Sequence, residues 1–229
     1  MRRVALLLGT AVVFLASQEA MAMGRPLIVT TQDHSLADAS DCDHFHTQIS
    51  TNLPSRAHAT EERNMFELIP LPLDWPVYVM HDEAAAHAKW RGARLPSEAE
   101  YHRAAFGTPS GEERQFPWGD EPPDHTRGNF DFTHWDPVPV GSYPKGASAW
   151  GVRDLVGNGW EWTSTKFAGF PGFKPMASYP VYSADFFDNE HYVIKGASPA
   201  TARDLVRRSF RNWFRPNYPY LYATFRCVY

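Results

Sequence analysis

From Gly107 to the C-terminus, turn-forming residues interrupt this chain so often that no long helix can run through it. Pro117-Trp118-Gly119-Asp120, Pro122-Pro123, Asp136-Pro137, Pro144-Lys145-Gly146 and Pro171-Gly172 each mark a turn. Proline lacks the backbone donor that a helix or a ladder needs, and glycine supplies the backbone angles of tight turns. With nineteen prolines and fifteen glycines in 229 residues, the chain is a loop-rich fold and not a helical bundle. Two short extended pieces survive the punctuation, residues 192–195 (Tyr-Val-Ile-Lys) and 223–228 (Ala-Thr-Phe-Arg-Cys-Val).

Before Gly107 the pattern differs. Residues 65–73 are apolar and broken by proline, leading into an expected short strand at Pro76-Val77-Tyr78-Val79. A helix is predicted over 81–90: four alanines favour it, Asp82 and Glu83 sit at its positive start, and Gly92 ends it. A second helix is announced by Pro96-Ser97-Glu98-Ala99-Glu100, where Ser97 caps the N-terminus while Glu100 reaches back. It runs to Phe106. Two helices followed by a long turn-rich β region make an α+β architecture, with no internal repeat.

Composition sets the remaining bounds. Apolar residues at 43%, with 14% aromatics, can fill a real core. Several of the eight tryptophans stand beside Gly, Pro or Asn, where an indole plate packs a segment short of ladder bonds. A formal charge of −4 provides no basic field for nucleic acid. Cys42 and Cys227 share no metal-binding spacing and read as two independent small side chains.

The N-terminus carries two readings. Arg2 and Arg3, the apolar run 4–16 and Ala20-Met21-Ala22 fit a signal peptide over residues 1–22, which would export the protein and place its mature start near Met23. The alternative is a misplaced start, or an upstream segment standing where another domain belongs, in a cytoplasmic protein. The run is shorter than the ~20 residues of a membrane span. Residues 23–62 are polar and lack periodicity, and are expected to be a poorly ordered leader. Their histidines (34, 44, 46 and 58) include one His-x-His pair without a third ligand at defined spacing, so a solvated tail is the favoured reading.

Four motifs within residues 63–229 carry a family resemblance. Arg94-Leu95-Pro96-Ser97-Glu98-Ala99-Glu100-Tyr101, Phe116-Pro117-Trp118-Gly119-Asp120, Val156-Gly157-Asn158-Gly159-Trp160-Glu161-Trp162-Thr163 and Phe225-Arg226-Cys227 resemble, in order, the signatures of the sulfatase-modifying-factor (formylglycine-generating-enzyme-type) domain. The resemblance implies a C-type-lectin-like α+β fold with two helices and a loop-rich β region. Formylglycine-generating members hold copper with two cysteines just after a turn that is here Gly196-Ala197-Ser198-Pro199. Residues 199–215 contain no cysteine, and no other side chain replaces a soft thiolate for copper(I). That oxidase activity is therefore not expected.

The segments at 71–79, 128–132, 135–141, 182–187 and 209–214 look instead like the C-terminal domain of the ergothioneine and ovothiol sulfoxide synthases. These enzymes join a cysteine-type thiol to a histidine derivative with O₂ and non-haem iron. The resemblance implies that iron is held by histidines of a helical-bundle domain this chain lacks, so iron would come only from a partner. Alone, the chain is expected to be inactive in C–S bond formation. An exported non-catalytic binding module and a truncated gene product are the alternatives.

The resemblance also implies site roles. Tyr179, with Tyr182 beside it, would offer a phenol to the reacting centre. Asn212 would hydrogen-bond the imidazole, and Trp213 would present an indole face to a trimethylammonium group. Phe214 stands where some synthases carry an acidic residue. Arg211 and Arg215, within a cluster that includes Arg203, Arg207 and Arg208, are candidates to clamp substrate carboxylates. Asp154, Gly157, Gly159 and Glu161 align with a structural calcium site, two carboxylates and two glycine carbonyls suiting a hard cation.

Overall fold

A computed structural model describes residues 72–229 continuously, together with four short strands before them. Those strands form two antiparallel pairs. β1 (Val29–Thr31) lies against β2 (Phe45–Thr47), and β3 (Glu61–Arg63) against β4 (Leu68–Pro70). The sequence predicted no strand within 23–62, because three-residue pieces are too short to show alternation. The signal segment 1–22, the leader histidines 34, 44 and 58, and Cys42 lie outside the described residues.

Helix α1 spans His81–Trp90. The Glu83 carboxylate accepts the Met80 amide at its start (2.8 Å), and Gly92 turns the chain away at its end with a left-handed φ of +74°. Helix α2 spans Glu98–Phe106 and shows the predicted reciprocal cap. Ser97 Oγ accepts from the Glu100 amide, and the Glu100 carboxylate accepts from the Ser97 amide (2.8 Å). Arg94 then forks onto that carboxylate at 2.7 and 2.6 Å, which, above all other causes, lowers the Glu100 pKa to about 2.

The helices lie against a mixed four-stranded sheet in the order β7-β6-β5-β8, with β5 at Gly159–Lys166, β6 at Tyr192–Ala197, β7 at Asn212–Phe214 and β8 at Ala223–Thr224. β5 to β7 pair antiparallel, while β8 joins β5 in parallel. The long β5 is buried along its first five residues. Trp162 at its centre is fully enclosed, its Nε1 donating to the Val79 carbonyl at 2.8 Å. Around it pack Val77, Ala84, Ala88, Leu95, Ile194 and Phe225. A second cluster seats Tyr101, Ala105 and Phe106 of α2 on Val152 and Leu155, with the Tyr101 hydroxyl donating to the Leu155 carbonyl.

Two predicted strands are corrected. Residues 76–79 join no ladder. Pro76 has no donor, and the Val79 amide and carbonyl are used by Ala223 and Trp162. The closing strand over 223–228 shrinks to the two residues of β8 and a single bridge between Val228 and Arg94. Between them the Arg226 side chain turns inward to Glu161, and Cys227 is buried in the main core.

Candidate functional site

Strand β7 forms one edge of the sheet and carries Asn212 and Trp213, both half-buried. The Asn212 side-chain carbonyl accepts the Trp213 amide at 2.9 Å. Trp213 stacks on Phe167 with centroids 4.1 Å apart and planes 7° from parallel, so one indole face is already covered. On another side Phe186 approaches at 5.4 Å, tilted by 48°. Both phenylalanines belong to a long loop, residues 167–191, that runs from the end of β5 to the start of β6.

That loop carries the candidate tyrosines. Tyr179 and Tyr182 close one turn, the Tyr182 amide donating to the Tyr179 carbonyl, with their rings 5.7 Å apart. Both are exposed, at 53% and 61%. Phe170, Phe173, Met176, Val181 and Phe186 are exposed in the same loop, an apolar run far beyond scattered surface residues. Phe187 anchors it against Phe167 and Phe173. Tyr182 lies four residues from Phe186, so no more than about 14 Å of chain separates the tyrosine turn from the ring against Trp213. The loop that carries Tyr179 and Tyr182 thus meets strand β7 at Trp213 through Phe167 and Phe186.

The arginines divide differently. Arg211 does not project as an open fork. Its Nε and Nη2 donate to the two Glu98 carboxylate oxygens at 2.7 and 2.9 Å, and its Nη1 donates to the Ala168 carbonyl at 2.9 Å. The guanidinium lies over Phe167 and Phe170, 4.8 and 4.3 Å from their centroids. Arg215 meets Glu190 at 3.0 Å on the exposed surface. Arg203 pairs with Asp131, Arg208 with Glu113, and Arg207 lies over Phe210.

Asp154, Gly157, Gly159 and Glu161 come together around a cavity of about 20 Å³ also lined by Asn158, Thr224 and Arg226. The backbone curls tightly here: Asp154, Gly157 and Asn158 all have positive φ, and a Cβ on Gly157 would sit 2.7 Å from the Asn129 amide nitrogen. Asp154 Oδ2 accepts the Gly141 amide at 2.6 Å. The buried Glu161 carboxylate receives a fork from Arg226, at 2.6 Å from Nε and 2.5 Å from Nη2. The cavity has room for one water-sized ion. The acidic ligand on one side, however, is already balanced by a guanidinium. Among the described residues, no group of three or more His, Cys, Asp or Glu side chains is placed to hold a metal.

Sequence reasoning missed three partners of the candidate residues and their neighbours. Glu98 was legible only as a helix-start residue and Lys195 only as a strand residue, yet both tie down the chain beside Asn212. Arg226 was legible only as part of a closing strand. Lys195 is buried, its Nζ donating to the carbonyls of Phe210 (2.6 Å) and Arg208 (3.2 Å) and lying 4.0 Å from Glu98. Burial lowers its pKa to about 8, against the raising influence of Glu98.

Comparison with known proteins gives this geometry a lineage. The chain is 42% identical over 161 residues to hercynine oxygenase of Mycobacterium tuberculosis, covering 69% of this chain and 38% of that protein. It is 32% identical over 237 residues to ergothioneine biosynthesis protein 1 of Neurospora crassa, covering 81% of this chain and 27% of that protein. The formylglycine-generating enzyme of M. tuberculosis matches at 38% identity over 104 residues, covering 40% of this chain and 33% of that enzyme. The chain therefore spans well under half the length of these relatives. The family model described as the sulfatase-modifying factor enzyme 1-like domain matches residues 40–229, beginning upstream of the composition change at Arg63. With more than four fifths of its length matched, this α+β chain belongs to the sulfatase-modifying factor family.

Proposed function

We propose that this chain supplies the substrate-binding wall of an ergothioneine-type sulfoxide synthase. In this reading a histidine derivative and a cysteine-type thiol are held against it while an oxidative C–S bond forms. The observation that carries the proposal is the assembly of Asn212 and Trp213 with the tyrosine-bearing loop 167–191. In this reading the amide, the indole and the two exposed phenols face one cleft, the loop meeting β7 through Phe167 and Phe186. The similarity to hercynine oxygenase and ergothioneine biosynthesis protein 1 supports the same direction.

The chemistry assigned to each group follows from its type. The Asn212 carboxamide has an NH₂ besides the oxygen spent on Trp213, so it can donate to an imidazole nitrogen. Phe167 covers one indole face, so a trimethylammonium group would have to meet the opposite one. Such a contact contributes roughly 0.5–2 kcal/mol. The Tyr179 phenol can hand a proton to a reduced oxygen atom, with Tyr182 as its neighbour in the same turn. Arg215, held only by an exposed ion pair, can exchange Glu190 for a substrate carboxylate at little cost. Iron with O₂ would supply the oxidising equivalents. Its ligands would come from a separate helical-bundle partner, which the exposed apolar loop suits as a contact surface. The copper-dependent route of formylglycine formation is not part of this reading, since residues 199–215 contain no cysteine.

A calcium ion, if bound, would be held by Asp154, Gly157, Gly159 and Glu161, bracing loops behind β5 and taking no part in the reaction. Its test is thermal: calcium raises the melting temperature of the wild type and not of Asp154→Asn.

The functional reading is tested by titration calorimetry of the chain with trimethylhistidine. Binding that is weakened severalfold both for unmethylated histidine and by Trp213→Ala supports it. Equal binding of both ligands, unchanged by Trp213→Ala and Asn212→Ala, rejects it.

A further inference from the structure

We infer that Glu98, Lys195 and Arg211 act together as positioning residues for Asn212 and Trp213, so that Arg211 shapes the binding wall instead of gripping a substrate carboxylate. The inference rests on the reading of that pair proposed above. It begins from a weakness in the fold. β7 is three residues long and sits at the sheet edge, paired with β6 alone. Three ladder positions cannot by themselves fix how far two side chains project beyond an edge.

The missing constraint comes from buried charge. Immediately before β7, residues 208, 210 and 211 are each tied down. Lys195 takes the carbonyls of Arg208 and Phe210, and Arg211 forks onto Glu98. A third Arg211 donor holds the Ala168 carbonyl, the residue after the ring on which Trp213 stacks. The three side chains are nearly enclosed, at 12% exposure for Glu98, 3% for Lys195 and 14% for Arg211. Glu98 opens α2, where the helix dipole favours a carboxylate, and its amide donates to Thr165 of β5. One carboxylate thus links α2 to the approach to β7 and shares two cations.

The arrangement is spent internally. A guanidinium that donates to two carboxylate oxygens and one carbonyl, and lies over two phenylalanine rings, has little left for a substrate. Removing Glu98 takes away the carboxylate that Lys195 and Arg211 share, and with it the tie that holds Arg211 beside Asn212.

The test is titration calorimetry of the full chain, wild type against Glu98→Gln, Arg211→Met and the double variant, with trimethylhistidine and γ-glutamylcysteine measured separately. Each single change should lower trimethylhistidine affinity about tenfold, and the double change about tenfold again in total, not a hundredfold, because one network is broken in all three. A substrate clamp predicts otherwise: Arg211→Met would weaken only the thiol, and Glu98→Gln neither ligand. That result overturns the inference. A second readout needs no ligand. In protein carrying 5-fluorotryptophan, with Trp213 assigned by Trp213→Phe, the Trp213 fluorine resonance should move alike in Glu98→Gln and Arg211→Lys. A resonance unmoved in both overturns the positioning role. A moved resonance in a chain that binds no trimethylhistidine retains it and removes the functional reading instead.

Discussion

Replacing Arg226 with methionine should be among the most damaging single changes in the domain. Glu161 and Arg226 are 2% and 6% exposed, and their fork bonds measure 2.6 and 2.5 Å. A third Arg226 bond reaches the Arg153 carbonyl at 3.1 Å. Methionine fills much of the same volume but leaves the Glu161 carboxylate buried without its counter-charge. Breaking one side of such a pair costs about 3–5 kcal/mol. For a chain of this size that is a fall in melting temperature of roughly 6–20 °C. Removing both charges is a different matter. Glu161→Leu with Arg226→Met leaves no uncompensated charge and should lie within about 2 kcal/mol of the wild type. The assay is urea denaturation of the four proteins, read as midpoint and slope. A cost below about 1 kcal/mol for Arg226→Met, or a double variant worse than either single one, would refute the reasoning.

Other predictions follow from the same contacts. Ser97→Ala removes the cap acceptor of α2 and should cost about 1 kcal/mol by denaturation, while Ser97→Asp should cost little. Gly157→Ala combines a strained positive φ with a Cβ 2.7 Å from the Asn129 amide nitrogen, and should destabilise by about 2 kcal/mol or more. Lys195 gives a pH signature. Its folded pKa of about 8 lies below the 10.5 of an unperturbed lysine, so the unfolded chain binds more protons between those values. Wild-type stability relative to Lys195→Met should therefore rise as pH goes from 8 to 10.5, by at most about 3 kcal/mol. A flat or falling difference rejects that assignment.

The helices were legible because their signals are local. Ser97 and Glu100 are three residues apart, and the alanines of α1 stand in a row. The sheet was not, because its order depends on pairings across the chain. β8 joins β5 in parallel from more than sixty residues away, and a two-residue strand shows no alternation to read. The same distinction divides the site. Asn212 and Trp213 were visible as an adjacent pair within a motif. The commitment of Arg211 to Glu98 was hidden, since the partners are 113 residues apart and each has an adequate local reading. The arginine cluster was read from the sequence as candidates to clamp substrate carboxylates. In three dimensions, each of Arg203, Arg208, Arg211 and Arg215 has a carboxylate.

The central claim is that this wall serves oxidative sulfur transfer when iron is supplied across from it. Oxygen uptake and product mass should be followed with trimethylhistidine and γ-glutamylcysteine, for the chain alone, for an iron-loaded helical-bundle protein from its genomic neighbourhood alone, and for the two together. The account predicts a sulfoxide product only in the mixture, and its loss with Trp213→Ala. No oxygen uptake and no product in any combination, from a chain that also binds neither substrate, would contradict it.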